Sequence, residues 1–393
     1  MPKTTYKHTI YACYLGYIVQ AAGNNFAPLL FVIWGDSFGI PTGQITMLIA
    51  LNFIVQLTVD LISAKFIDRV GYRRAVVAAH IFSALGLAGL AVFPFILGDS
   101  FIGLLLAVFC YAIGGGLIEV LISPIVEACP TDKKSSAMSI LHSFYCWGTV
   151  FVILISTGVL GVFGAGSWRV LACVWALLPA ANAVIFTRVP ILTLAEVDDE
   201  HIPTRKLLSR RIFWLLMLLM VAAGASEQGM IQWASMFAER GLGVTKSVGD
   251  IVGPCLFAVL MGAARVFYAK KSESVDLLRC ITWSGVLCAA SYLCAAFAPT
   301  PILSLLGCAL CGLSVGILWP GVFSVAAVRC RGGGTALFAL LALAGDVGCA
   351  GGPSLVGGIS GAFGDSFQVG LASAVVFPAI LIICSVVCRR IKE

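Results

Sequence analysis

Charged residues are scarce in this chain of 393 residues. Asp, Glu, Lys and Arg make up 11% of it and apolar residues 60%, whereas about a quarter of a soluble domain is charged. This composition excludes a water-soluble fold. The chain also lacks the G-x-x-x-x-G-K-[ST] loop of nucleotide-driven pumps, and no catalytic triad or metal-ligand pattern is present. We therefore expect no enzyme, no cofactor and no metal site.

Long apolar runs fill most of the sequence. A membrane-spanning helix needs about 20 mostly apolar residues, and the chain contains twelve such runs between short turn-forming clusters. The sequence therefore predicts an all-α integral membrane protein. The twelve predicted helices cover approximately residues 9–34, 43–67, 74–97, 101–128, 137–163, 168–188, 212–237, 247–269, 278–297, 301–328, 333–362 and 366–388.

Basic residues are distributed unequally between the two sets of loops. One set, which includes both termini, holds nearly all the Lys and Arg, and the other holds only Arg169, Arg240 and Lys246. Because basic loops stay in the cytoplasm, both termini are predicted to be cytoplasmic. The net charge of +6 is then a topology signal and does not indicate nucleic-acid binding. We expect a monomer in a lipid bilayer, and the short loops favour a bacterial inner membrane.

The longest polar stretch, 189–211, separates two predicted six-helix halves, 1–188 and 212–393. The halves share a pattern of small and helix-bending residues. Gly116 and Pro124 in predicted helix 4 recur as Gly312 and Pro320, at the same spacing, in predicted helix 10. Two related halves that rock about a central site are typical of secondary transporters. A channel or a non-transporting receptor does not require such a repeat.

The loop between predicted helices 2 and 3 reads Asp68-Arg69-Val70-Gly71-Tyr72-Arg73-Arg74. This segment resembles the loop signature of the major facilitator superfamily, with Ala64 in place of the family's leading glycine. The resemblance implies two pseudo-symmetric six-helix halves and transport by alternating access. It also implies that the loop helps to gate the transporter. Our predicted gating residues are Asp60, Asp68, Arg69, Arg73 and Arg265.

Three segments, mainly of the N-terminal half, resemble the fucose-permease-like sugar:proton symporters of that superfamily. They are Asn24-Asn25 in predicted helix 1, Gly114-Gly115-Gly116-x-x-Glu119 with Pro124 in predicted helix 4, and His142-Ser143-Phe144-Tyr145-Cys146-Trp147-Gly148 in predicted helix 5. The chain departs from those symporters at three positions. Ala27 and Pro28 stand where they carry an aspartate after the paired asparagines, and Ser123 stands where they carry an asparagine before the proline.

Few ionisable residues lie at membrane depth, and each is a functional candidate because charge is costly there. Glu119 shares a helix face with Tyr111, Gly115 and Ser123, which recur at about four-residue spacing. The predicted proton-coupling residues are Glu119, Asp346 and Glu227. The alternative for Glu119 is a packing hydrogen bond to another helix. The alternative for Asp346 and Glu227 is a structural ion pair or an unpaired acid that stays protonated.

The predicted substrate-binding residues combine amides, phenols, indoles and the same three acids. Amide and hydroxyl groups supply the donors and acceptors that a hydroxyl-rich solute needs, and aromatic faces stack on sugar rings or on lipophilic drugs. Packing or anchoring at the membrane interface remains the alternative for each tryptophan. The set is Tyr17, Gln20, Asn24, Asn25, Glu119, Tyr145, Trp147, Glu227, Gln228, Gln232, Trp319 and Asp346.

Two functions fit these observations. The first is symport of a small polar solute, such as a sugar, with protons; the amide-rich helix 1, Glu119 and the family resemblance favour it. The second is proton-coupled efflux of drugs or lipid-like amphiphiles, which the apolar interior with its isolated acids also allows. In both, the partners are a small-molecule substrate, protons and the lipid bilayer.

Overall fold

Twelve helices long and apolar enough to cross a membrane are present in the computed structural model. The structure describes residues 5–130, 134–192, 204–271, 276–330 and 334–391, and every regular element within these ranges is helical. The predicted all-α membrane fold and its helix count are confirmed. The chain divides into two compact units, Met1–Glu196 and Val197–Glu393. We call them the N-terminal and C-terminal units.

The N-terminal unit contains six spanning helices. The first has a 3₁₀ turn at Ala27–Leu30, where Pro28 lacks an amide hydrogen. Helix α4 packs against α1, α2 and α3, whereas α1 also packs against α5 and α3 against α6. The helices are α1 (Tyr6–Phe38), α2 (Thr42–Val70), α3 (Tyr72–Ile96), α4 (Ser100–Ala128), α5 (Lys134–Phe163) and α6 (Trp168–Arg188).

The C-terminal unit repeats this arrangement after a short helix, Thr204–Leu208. Helix α10 packs against α7, α8 and α9, α7 also packs against α11, and α9 packs against α12. Each of these pairs matches a pair of the N-terminal unit six helices earlier. The helices are α7 (Arg211–Gly241), α8 (246–271), α9 (Leu277–Phe297), α10 (301–329), α11 (Gly334–Ala362) and α12 (Phe367–Arg390).

The matched glycines make equivalent close contacts in the two units. A methyl group on Gly116 would lie 3.0 Å from the Gln56 carbonyl oxygen of α2, and one on Gly312 would overlap the Phe257 carbonyl of α8. Because Gly116 and Gly312 have no side chain, the backbone of α4 can lie close to that of α2, and the backbone of α10 close to that of α8.

The loop between α2 and α3 turns at Gly71, which has a φ of 86° that favours glycine. Arg73 lies at the start of α3. Its Nη1 donates to the carbonyl oxygens of Phe186 at 2.8 Å and Thr187 at 3.0 Å, at the end of α6. Arg73 thereby caps a helix C-terminus, where cations are favoured. The side chains of Asp68 and Arg69 lie outside the described residues, so their predicted gating role stays a prediction.

Candidate transport site

Two side-chain hydrogen bonds join α1 to α4 inside the N-terminal unit. Gln20 Nε2 donates to Glu119 Oε2 at 2.8 Å, and the Tyr17 hydroxyl lies 3.1 Å from Ser123 Oγ. Tyr17 and Gln20 are three residues apart and Glu119 and Ser123 four, so each pair lies on one helix face. The structure therefore brings together three of the predicted site residues, Tyr17, Gln20 and Glu119.

Helix α2 adds a polar stripe that the sequence interpretation missed. Asn52 Nδ2 and Gln56 Nε2 donate to Asn24 Oδ1 at 3.1 Å and 3.0 Å, and Gln56 Nε2 also lies 2.9 Å from Asn52 Oδ1. Asn52, Gln56 and Asp60 follow one another at four-residue spacing, so they share a face of α2. That spacing is the signal that identifies Asn52 and Gln56 from sequence. We call Asn24, Asn52 and Gln56 the amide cluster.

A second carboxyl group lies beside Glu119. Carboxylate oxygens of Asp60 and Glu119 approach within 4.8 Å of each other. Two ionised carboxylates at that distance repel each other in a poorly hydrated site, and one proton on the pair removes the repulsion. The described N-terminal unit therefore places Glu119, a predicted proton-coupling residue, within one hydrogen bond of Gln20, a predicted solute-binding residue.

The side chain of Asn25 contacts helix α5. Asn25 Nδ2 donates to Thr149 Oγ1 at 3.2 Å, so the adjacent residues Asn24 and Asn25 contact different helices. Tyr145 is half-buried. Trp147 is 47% exposed and shares its face of α5 with the exposed apolar residue Phe151, a pattern typical of lipid contact. The substrate-binding roles of Tyr145 and Trp147 stay predictions.

In the C-terminal unit, α7 carries three predicted polar residues, and α8 carries Arg265, which lies beside one of them, Glu227. Arg265 Nη2 lies 3.7 Å from Glu227 Oε2. Gln232 Nε2 donates to Gln228 Oε1 at 3.0 Å. All three predicted residues of α7 are buried. The sequence interpretation treated Arg265 as a gating residue and gave an ion pair as the alternative for Glu227, but it did not name the two residues as partners.

Asp346 and Trp319 lie on α11 and α10 of the same unit. Asp346 is buried. The Trp319 ring packs on Gly345, where an added methyl group would overlap the indole. Gly345 thus leaves room for an aromatic face next to the Asp346 backbone. The predicted roles of both residues in binding, and of Asp346 in proton coupling, stay predictions.

We expect Glu227 and Arg265 to be energetically coupled. The two residues are mostly buried, so removing one partner leaves the other with an uncompensated charge. Melting curves for Glu227→Met, Arg265→Met and the double variant should therefore give a coupling free energy of about 1 kcal/mol or more. Glu227→Asp is the matched control because it keeps the charge. Additive effects of the two single substitutions would contradict the pairing.

The sequence interpretation also missed a charged cluster at the junction of α7 and α8. Lys246 Nζ lies 3.1 Å from Asp250 Oδ2 and 3.2 Å from Glu239 Oε1. Ser235 Oγ donates to Asp250 Oδ1 at 2.5 Å, and Asp250 is fully buried. We call these four residues the Lys246 cluster. It holds the end of α7 to the start of α8.

The sequence profile of the Major Facilitator Superfamily matches residues 13–353. The chain belongs to this superfamily. It is therefore a multi-pass membrane transporter and not an enzyme, as the resemblance of its loop and helix segments implied. A comparison with curated protein sequences finds no match.

Solved structures share the fold at low sequence identity. A bacterial homologue of the human lysosomal transporter Spinster, inward-facing and occupied, has a TM-score of 0.78 at 17% identity, with 98% of this chain and 97% of that chain covered. The D-xylose–proton symporter has a TM-score of 0.78 at 12% identity, with 98% of both chains covered. The E. coli fucose:proton symporter has a TM-score of 0.66 at 14% identity, covering 98% of this chain and 99% of that chain.

Proposed function

We propose that this major facilitator superfamily protein carries a small polar, sugar-like solute together with protons by alternating access. The observation that carries the proposal is the Gln20–Glu119 hydrogen bond of 2.8 Å, next to the amide cluster. Amide groups offer both donors and acceptors to hydroxyls, and Glu119 can bind a proton at membrane depth. The fucose and D-xylose symporters among the structural neighbours support the same solute class.

The site residues of the proposal fall into two roles. Tyr17, Gln20, Asn24 and the α2 amides contact the solute, and Glu119 carries the proton. Solute-binding roles are also proposed for the predicted residues of the C-terminal unit on α7, α10 and α11. The protein works in a bacterial inner membrane as a monomer with both termini in the cytoplasm, as the distribution of basic residues favours.

A proton gradient should drive solute into proteoliposomes that contain the purified protein. A thermal-shift screen against sugars, organic acids and lipophilic cations selects the solute first, because a ligand of the folded state raises the melting temperature. Uptake is then measured with and without an inward proton gradient, with protein-free liposomes as the control. We expect one solute class, the sugars, to stabilise the protein and to accumulate only with the gradient. Gradient-independent equilibration of the sugar would contradict proton coupling.

Efflux of amphiphiles is the second candidate, and an apolar groove of the C-terminal unit favours it. Trp214, Met217 and Val221 of α7 line this groove together with Leu343 and Val347 of α11. Such a surface suits a lipophilic chain better than a sugar. Stabilisation by lipophilic cations, with proton-driven extrusion of dyes and no response to sugars, would favour this function over symport.

A further inference from the structure

One end of the Gln20 amide is hydrogen-bonded and the other is not. Gln20 is 5% exposed, and its Nε2 donates to Glu119 at 2.8 Å. Its Oε1 is buried and accepts no hydrogen bond from the residues that the structure describes. Leaving a buried acceptor without a donor is unfavourable. The orientation therefore fits an ionised Glu119, which can only accept hydrogen bonds and so holds the amide by its nitrogen.

A proton on Glu119 removes that constraint. A protonated carboxyl group has an O–H that donates, and the oxygen of Gln20 can accept it once the amide turns half a revolution about its last side-chain torsion. This torsion has two broad, roughly equivalent orientations, and the amide oxygen and nitrogen occupy nearly the same volume. After the turn, Oε1 is satisfied by Glu119 and Nε2 takes the place that Oε1 held.

We propose that Gln20 turns its amide when Glu119 gains a proton and so links proton binding to solute binding. This inference rests on the proposed function, in which Gln20 contacts the solute and Glu119 the proton. The group that Gln20 presents away from Glu119 changes from an acceptor to a donor. An acceptor oxygen of the solute, such as the ring oxygen of a sugar, then finds its partner only after protonation. Proton and solute therefore bind together, as symport requires.

Other titratable groups of the N-terminal unit lie around this pair and define the controls. Asp60 of α2 approaches Glu119 within 4.8 Å. On α1 and α5, the rings of Tyr17 and His142 have centroids 5.4 Å apart. His80 of α3 is occupied elsewhere, because its Nδ1 lies 2.7 Å from the Val76 carbonyl oxygen and its Nε2 lies 2.9 Å from Asn182 Nδ2. Asp60→Asn and His142→Gln therefore test whether a neighbour drives the turn.

Infrared difference spectroscopy of the full-length protein in liposomes tests the turn without any solute. The protonated carboxyl band of Glu119 is the band that Glu119→Gln removes during a pH titration. The amide band of Gln20 is the band that Gln20→Met removes, and Gln20→Leu serves if the first variant does not fold. In the wild type both bands should change with one common pH midpoint. In Glu119→Gln, the pH-dependent change of the Gln20 band should be lost.

The inference is overturned if the Gln20 band stays constant while Glu119 titrates, or if Glu119 shows no titrating carboxyl band. It is also overturned if Asp60→Asn or His142→Gln abolishes the Gln20 change while leaving the Glu119 titration intact. Uptake of D-xylose and L-fucose by the same liposomes reports on the proposed function separately. Absence of proton-driven sugar uptake with a coupled Gln20–Glu119 titration would refute sugar symport and leave the amide turn standing.

Discussion

Replacing Glu119 by glutamine is expected to abolish pH-driven accumulation of the solute and to preserve its exchange across the membrane. Glutamine matches the size and donor capacity of a protonated carboxyl group but cannot release a proton. The neighbouring Gln20, which donates to Glu119 at 2.8 Å, can still bond to it. A wild-type symporter that moves one proton per solute accumulates the solute about tenfold per unit of pH gradient, since one unit is worth about 1.36 kcal/mol. The variant should reach only the outside concentration.

Counterflow exchange and gradient-driven uptake, measured in the same proteoliposomes, separate the two properties. Asp60→Asn is the matched control, because it removes the carboxyl group next to Glu119 and leaves Glu119 in place. It should retain accumulation if Glu119 is the coupling acid. Continued accumulation by Glu119→Gln would move the coupling role to Asp60, Asp346 or Glu227. Loss of exchange as well would make Glu119 a direct ligand of the solute.

The helices were predictable because the bilayer imposes a simple requirement on sequence. A spanning segment must be apolar over about 20 residues and must satisfy its own backbone hydrogen bonds, which only a helix achieves within one segment. The predicted first span, 9–34, corresponds to Tyr6–Phe38 in the structure. The difference lies at the polar ends, where Asp36 and Ser37 continue the helix although their hydropathy indicates a break.

The irregular turns inside the helices were not predictable from hydropathy. Helix α7 ends in a π-helical segment, Phe237–Gly241, and α8 contains another, Ile251–Cys255. Pro254 accounts for the second, because it has no amide hydrogen to donate to the carbonyl of residue 250. Packing against neighbouring helices determines which alternative turn forms, and a single sequence does not contain that information.

The candidate site was predictable in its residue types and only partly in its contacts. Helical spacing placed Tyr17, Gln20 and Asn24 on one stripe of α1, but no periodicity within one helix reveals that Gln20 faces Glu119 of α4. Asn52 and Gln56 were missed because uncharged amides carry a small penalty at membrane depth and are less conspicuous than acids. Their four-residue spacing to Asp60 was the available sequence signal, but it does not reveal that both amides donate to Asn24 of α1.

The Lys246 cluster yields the largest expected change in stability. Lys246→Met removes the ammonium group 3.1 Å from Asp250 Oδ2. Asp250 is fully buried, and breaking a buried ion pair costs about 3–5 kcal/mol. Asp250→Asn should cost less, because Lys246 keeps Glu239 at 3.2 Å as its second carboxylate. Lys246→Arg, which retains the cation, should cost least.

The double variant Lys246→Met/Asp250→Asn decides between a charge effect and a packing effect. If the cost of Lys246→Met comes from an uncompensated buried carboxylate, neutralising Asp250 removes most of it, and the double variant melts above Lys246→Met alone. The Ser235 hydroxyl, which donates to Asp250 Oδ1 at 2.5 Å, can donate equally to the carbonyl oxygen of an asparagine, so the contact between α7 and α8 survives the substitution. A double variant that melts at or below Lys246→Met would show that the lysine stabilises the junction through the packing of its methylene groups and not through its charge. In that case Lys246→Arg would be more stable than Lys246→Met only if the longer arginine side chain fits the space that the lysine methylene groups occupy.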